Sequence, residues 1–340
     1  MVPCAAVRRG RARDDLYCEA QMVDITRASG ASRAPARRPG RLPAIRRLRR
    51  ATAPLAWIGP AIALVAVVVL WPVLVMFDTA SQHFSPDGFL LGRAGWQNFT
   101  ELFAEPGLSG ILERTVLWVF VVVGITMLIS LGLAQLFNQR FPGRRVARWA
   151  LIAPWAASVV MTSLIFRWAL DPNSGVINVF LHNVGLIKSF GSNEADWLGR
   201  PGAAFTWMIV VAIFVSLPFT TYALLAGLQT IPGELYDAAR VDGASHWQTY
   251  RSITLPLLRP SFLVALLINV INVFNSFPII WEMTQGGPGH ETATSTVFMY
   301  QLKEAYIGES AALSVINFAL VIVVVLVFLK VTRWRDQVIS

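Results

Sequence analysis

The sequence predicts an all-α integral membrane protein of six transmembrane helices, with one helix-turn-helix standing outside the lipid. Three observations carry this. Of 340 residues, 55% are hydrophobic and only 14% charged, with a mean hydropathy of +0.54, against about a quarter charged in ordinary soluble domains. Six runs reach the roughly 20 apolar residues that a helix needs to cross about 30 Å of hydrocarbon. Lys and Arg crowd onto alternate connections between those runs, which assigns one side to the cytoplasm.

Residues 1–53 hold 13 arginines against Asp14, Asp15, Glu19 and Asp24, so this stretch accounts for the whole formal net charge of +9. Rich in Arg, Ala, Pro and Gly and without apolar periodicity, it reads as a disordered cytoplasmic tail drawn to anionic lipid, and no nucleic-acid partner is expected. It lacks the apolar core and small-residue cleavage site of a signal peptide, and Met22 is an alternative start. Cys4 and Cys18 are the only cysteines; on the reducing side, neither a disulfide nor a thiolate metal site is expected of them.

The spans fall at 54–77, 114–137, 147–170, 204–228, 260–281 and 311–330. None has an ionisable residue near its middle; Arg148 and Arg167 sit at the ends of the third, where long side chains snorkel. The runs are continuous, which argues against the short alternating strands of a barrel. Near the spans, one side holds Arg46, Arg47, Arg49, Arg50, Arg140, Arg144, Arg145, Arg148, Arg240, Arg251, Arg259, Lys330, Arg333 and Arg335. The other holds Arg93, Arg114, Lys188, Arg200 and Lys303, so both termini, including residues 336–340, are expected in the cytoplasm. Between the first two spans, "GWQNFTELF" (95–103) reads as part of a packed extracytoplasmic cap, and "NQRFPGRRVAR" (138–148) as a basic topology determinant. In "DPNSGVINVFLHNVGL" (171–186) a turn precedes a short amphipathic helix at the interface.

"ELYDAARVDGASHWQTYRSITLPLLRP" (234–260) interrupts the apolar text. Glu234, Asp237, Arg240, Asp242 and Arg251 would each cost about 2.5–3.5 kcal/mol at mid-membrane, so the stretch stays in the cytoplasm. Pro232 and Gly233 end the fourth span, and "ELYDAARV" follows as a helix with an acid in its first turn. Asp242-Gly243 breaks it, because glycine takes the left-handed conformation of a tight reversal. Ser245 and Gln248 form a capping box for a second helix, with Trp247, Tyr250 and Arg251 on one face, and Leu255-Pro256 returns to the membrane. Small Ala238 and Ala239 permit close approach by another body.

These residues resemble the EAA loop of permease subunits of binding-protein-dependent ABC importers, whose pattern is Glu-Ala-Ala, three residues, Gly, nine residues, Ile-x-Leu-Pro. Here it stands as Asp237-Ala238-Ala239, Gly243, then Ile253, Leu255 and Pro256, with Asp for the usual Glu. "MTQGGPGHETATSTVFMY" (283–300), "GVIN" (175–178) and Asn98-Phe99 resemble further blocks of the carbohydrate, MalF-like branch. The resemblance covers residues 54–335 and implies an importer permease fold in the bacterial inner membrane. It implies that the loop at 229–259 couples to the ATPase through those seven residues. It also implies a second homologous permease, two ATP-binding subunits carrying ATP and Mg, and an extracytoplasmic solute-binding lipoprotein.

A phosphate-cradling G-x-x-x-x-G-K-[ST] loop has Lys directly after Gly. Lys188, Lys303 and Lys330 follow Ile187, Leu302 and Leu329. The chain is therefore expected to be no enzyme and to hold no cofactor of its own. His83, His182, His246 and His290 are scattered without ligand spacing, so no metal is expected.

For the solute, Asn269, Asn272, Asn275 and Ser276 in the fifth span fall within about 120° of one another at 100° per residue. Ser310, Ser314 and Asn317 form a stripe on the sixth. Amides and hydroxyls in lipid take partners, so both stripes are expected to face inward, either as interhelical hydrogen bonds or as a pathway for a sugar or polyol. Phe274, Phe277 and Trp281 stand nearby for stacking, and Pro278 is placed to break the fifth span. Arg167 leaves open an anionic, glycerol-phosphate-type solute. A stand-alone secondary transporter is the rival reading, but such proteins carry intramembrane acids or histidines for ion coupling, which these spans lack.

Overall fold

The structure, a computed structural model, describes residues 58–336 except 188 and 193. The expected tail at 1–53 and residues 337–340 lie outside the described residues. By its contacts the chain divides into two units, Met1–Val67 and Val68–Ser340. Of the first, residues 58–67 are a helical stretch.

The described residues are almost wholly helical. Helix α1 (Ile58–Ala80) is followed by a hairpin of β1 (Gln82–Phe84) and β2 (Leu90–Arg93), then α2 (Gln97–Ala104) and α3 (Leu108–Asn138). Next come α4 (Arg144–Ile152), α5 (Val159–Ala169), α6 (Val176–Asn183) and α7 (Pro201–Gln229). Then follow α8 (Gly233–Val241), α9 (His246–Thr249), α10 (Leu255–Phe274), α11 (Phe277–Thr284), α12 (Ser295–Leu302) and α13 (Ile307–Asp336). Among the described residues five helical stretches are long and apolar enough to span: α1, α3, α7, the run His246–Thr284 and α13.

The third expected span departs from the reading. Residues 147–170 are not one helix but α4, a 3-10 turn at Ala153–Ala156 and the short α5. Pro154 has no N–H to return to Ala150, and Ser158 restarts the helix by accepting the amide of Met161 at 3.2 Å. The small hairpin β1–β2 is the other departure, in a segment read only as a packed cap.

The core of the second unit is α3, α7 and α10 packed on one another, with α11 set against α5 and α7. Helix α13 packs on α2, α10 and α12. The crossing of α7 and α10 is close because Gly227 has no side chain: a Cβ there would overlap Ser261 and leave Leu258 Cδ1 at 3.0 Å. Two buried amides fasten the loops. Asn98 Nδ2 donates to the carbonyls of Ala80 and Gln82, both at 2.8 Å. Asn178 Nδ2 donates to Asp171 O at 2.8 Å and Ala195 O at 3.0 Å, while its Oδ1 accepts Trp197 Nε1 at 2.7 Å. The turn before α6 is held by Asp171, whose carboxyl lies below its usual range because the Ser174 amide, the Asn173 amide and the Ser174 hydroxyl donate to it.

The fifth span breaks at Asn275 and Ser276, as Pro278 suggests, since that residue returns no N–H to Phe274. Val273 O receives Ser276 N at 3.2 Å, Ser276 Oγ at 2.6 Å and the indole N–H of Trp118 at 3.1 Å. Trp118 is 1% exposed and also lies 2.9 Å from Ser276 Oγ. Replacing it by Phe keeps an aromatic ring but removes the donor and the volume of the pyrrole ring. Trp118→Phe is therefore expected to cost about 1–3 kcal/mol, read as a lower unfolding midpoint of the purified protein in detergent, with membrane insertion unchanged.

Candidate functional site

Two places gather the polar residues singled out by sequence: the bracket between α7 and α10, and the surroundings of the break between α10 and α11.

The bracket is built by local rules. Helix α8 has Glu234 in its first turn and Arg240 in its last, each complementing the helix dipole. It ends in a Schellman motif: Ala244 N donates to Ala239 O at 2.9 Å and Gly243 N to Arg240 O at 3.2 Å, with Gly243 at φ +74°. A Cβ on Gly243 would meet nothing within 4 Å, so backbone conformation and not space calls for glycine. The capping box forms, Ser245 Oγ accepting Gln248 N at 3.3 Å and Gln248 Oε1 accepting Ser245 N at 2.8 Å. The second helix does not end there. A π turn at Tyr250–Thr254 carries α9 directly into α10, just ahead of Pro256, whose ring would crowd the Ser252 carbonyl of a regular helix.

Tyr236 Oη lies 3.2 Å from Thr254 Oγ1, tying the first limb of the bracket to the π turn. Sequence reasoning missed both residues, because no local spacing announces a contact across the turn. Of the EAA-like residues, Asp237 is exposed and lies 3.3 Å from Arg240 on its own helix, a surface pair of little stability value. Ala238 is exposed, but Ala239 is buried, so only the first of the two alanines is open to an approaching body. Ile253 and Leu255 are half-buried and Pro256 exposed. The bracket also presents Val241, 88% exposed, and Trp247, 65% exposed, whose ring sits 5.8 Å from that of Tyr250.

The second place is less uniform than the stripes suggest. Asn269 is buried, and its Nδ2 has no hydrogen-bond partner among the described residues; Asn272 is exposed. Asn275 Nδ2 donates to Ile271 O at 2.9 Å, and Ser276 belongs to the break. Ser310 Oγ donates to Met299 O at 2.7 Å, and Ser314 Oγ lies 2.9 Å from both Ser310 O and Met299 Sδ, so these hydroxyls join α12 to α13. Asn317 lines an apolar cavity of about 570 Å³ between α3, α10 and α13, and Phe274 lines it too. Leu266, Val270 and Phe274 mark that face of α10; at about 100° per residue Asn272 projects from the opposite one. Asn317 and Phe274 therefore lie on one surface and Asn272 on another.

Phe277 and Trp281 do come together, stacked at 5.5 Å, and Tyr300 joins them at 5.0 and 4.7 Å. Lys303 Nζ lies 3.7 Å over the Tyr300 ring. Sequence reasoning did not join Tyr300 and Lys303 to this cluster, since they lie about 20 residues on. Arg167, the cation considered for an anionic solute, donates to the Glu282 carbonyl at 3.1 Å. The "MTQGGPGH" loop is held by its neighbours: Thr292 Oγ1 donates to Gly287 O at 2.8 Å, Gln301 Nε2 of α12 to Gln285 O at 2.8 Å and Arg114 Nη2 of α3 to His290 O at 3.0 Å.

The model of one protein family, described as binding-protein-dependent transport system inner membrane component, matches residues 126–337. A probable ABC transporter permease protein of Brucella suis biovar 1 is 40% identical over 85% of this chain and 100% of its own length. The sulfoquinovosyl glycerol transport system permease SmoG of Agrobacterium fabrum is 34% identical over 82% of this chain and 90% of its own. The trehalose/maltose transport system permease MalF of Thermococcus litoralis is 32% identical over 81% and 92%. Among solved structures, a bacterial alginate ABC transporter in complex with an alginate pentasaccharide-bound periplasmic protein has a chain that superposes with a TM-score of 0.71. That match covers 83% of this chain and 94% of the other at 22% identity, a likeness of fold.

Gly243→Val forces a β-branched residue into the left-handed region, at about 1–2 kcal/mol or more. It is expected to abolish solute uptake while leaving membrane insertion intact, checked by uptake in cells beside immunoblots of the membrane fraction.

Proposed function

The chain belongs to the binding-protein-dependent transport system inner membrane components, and from that premise we propose that it forms half of the route by which a sugar or related polyol is imported. It is a multi-pass permease subunit of an ABC transporter and not an enzyme. On this reading the permease domain is 54–335, with residues 229–259 as the loop that grips the motor and both termini in the cytoplasm. ATP and Mg act on two separate ATP-binding subunits. A second homologous permease completes the route, and an extracytoplasmic binding lipoprotein delivers the solute.

The observation that carries the coupling assignment is the bracket itself: a Schellman turn, a capping box and the Tyr236 contact fix two short limbs that present Trp247 and Val241 to the surrounding solvent. Large apolar side chains held out on a rigid polar bracket suit a protein partner. The π turn joins the second limb of the bracket without interruption to α10, so force on Ile253 passes along one helix to Asn269 and Asn272, and force on Asp237, Ala238 or Gly243 reaches it through the reversal and the Tyr236–Thr254 contact.

For the solute, Asn272 offers an exposed amide, and the half-buried Phe277, Trp281 and Tyr300 offer apolar ring faces near the break. Neutral hydroxylated solutes are bound by such combinations of amides and ring faces. Asn275, Ser276 and Ser314 support the walls through main-chain bonds.

Affinity purification of the tagged chain from its native host is expected to recover an ATPase, a second permease and a lipidated binding protein; the chain alone, moving solute in ATP-free liposomes, would overturn the reading. In the reconstituted importer, Asn272→Leu is expected to lower uptake at least tenfold while ATPase stimulation by the loaded binding protein persists, and unchanged uptake would remove Asn272 from the route.

A further inference from the structure

The hairpin and α2 carry apolar side chains that neither the bracket nor the route uses. Phe89, Leu90 and Leu91 are all exposed, as are Trp96 at 77% and Phe103 at 65%. The rest of α2 is committed to the protein: Asn98 and Leu102 are buried, and a Cβ on Gly308 would fall 2.7 Å from Asn98 Cγ. At about 100° per residue, Trp96, Phe99 and Phe103 share an arc of about 60°, roughly a third of a turn from Asn98 and Leu102. Trp96 and Phe99 are in ring contact at 5.1 Å. One side of this helix is thus packed; of the aromatic stripe, Trp96 and Phe103 are open, and Phe99 is half-buried against the core.

The position of these elements supplies the occupant. Strand β1 starts two residues after α1 ends at Ala80. At the hairpin tip, the Cβ position of Gly88 lies 3.5 Å from Ile307 Cδ1, and Ile307 opens α13. Helix α2 leads within four residues into Leu108, the first of α3. The hairpin and α2 therefore lie level with the ends of three membrane-spanning helices, where hydrocarbon gives way to headgroups. Aromatic rings concentrate at that level in membrane proteins. Strand β2 is exposed along its whole length and among the described residues pairs with β1 alone, whereas β1 packs on α13 and on the end of α1; the outer strand is the one left without an apolar partner.

We propose that β2, the hairpin tip and the Trp96–Phe103 stripe of α2 are seated in the lipid headgroup region, on the side of the membrane that the charge asymmetry assigns to the outside. The bilayer is then the apolar partner of β2 and of the exposed rings, and the cap holds the ends of α1 and α13 at a fixed depth.

The test uses the assembled importer in nanodiscs of phosphatidylethanolamine and phosphatidylglycerol, with and without a headgroup nitroxide lipid. With the two native cysteines, Cys4 and Cys18, changed to serine, an environment-sensitive fluorophore is placed through Leu91→Cys, Phe103→Cys or, as control, Glu101→Cys on the polar flank of α2. The labels at positions 91 and 103 are expected to emit to the blue of the control, to lose most of their emission to the nitroxide lipid, and to resist aqueous iodide. Equal iodide quenching at all three positions overturns the proposal. Protection from both quenchers, converted to iodide access when partner subunits are stripped away, also overturns it and assigns the face to protein. Should a labelled chain fail to assemble, photoreactive headgroup lipid on the unmodified protein decides: adducts within 89–103 support the proposal, and adducts confined to the spans refute it.

Discussion

A carbonyl left without its helical partner inside a membrane protein has no water to turn to, and Val273 O is such a group. The break at Asn275 and Ser276 frees it, and three donors close on it, two from Ser276 and one from the buried indole of Trp118. Irregular backbone at membrane depth is tolerated only where protein satisfies it. The place of the break is thus fixed by a residue 155 positions away in sequence. Through it α3 is joined to the fifth span at the point where α10 turns into α11, beside the ring cluster of Phe277, Trp281 and Tyr300.

At the other end of α10 the logic reverses. The π turn at Tyr250–Thr254 absorbs the constraint set by Pro256 without ending the helix, so the second limb of the bracket and α10 are one piece. Helix α10 thus begins as a continuation of α9 and ends at a break that Trp118 ties to α3. Gly227, whose missing side chain lets Ser261 approach, sets where α7 lies against α10. The same economy of side chain recurs at Gly308 beside Asn98, and in both cases a small residue lets a polar partner into a packed crossing.

The short blocks that resemble a carbohydrate-importer branch turn out to have structural jobs. Asn98 closes the junction of α1, β1 and α2, and Asn178 gathers Asp171, Ala195 and Trp197 around the start of α6. A buried amide whose donors are engaged, as in Asn98, or whose donors and acceptor all are, as in Asn178, specifies one arrangement, because any other leaves it unpaired in an apolar surrounding. Gln301 and Thr292 hold the "MTQGGPGH" loop through the carbonyls of Gln285 and Gly287.

What the sequence by itself determined is whatever local chemistry dictates. The membrane class, the long spans at α1, α3, α7 and α13, the Gly243 reversal and the Ser245–Gln248 box all follow from composition, run length or fixed short spacings, and all stand in the structure. The broken third span was written in Pro154 and Ser158 but was outweighed by a continuous apolar run, since hydropathy counts grease and not donors. Which way each polar residue of α10 and α13 faces was not legible. Asn269, Asn272 and Asn317 look alike as amides at helical spacing, yet one is buried, one exposed and one lines an apolar cavity. Their difference comes from which helices cross at which angle, and so do the contacts of Trp118 with Val273 and Tyr236 with Thr254. Those are decided by packing between segments far apart in the chain, and only the tertiary structure contains them.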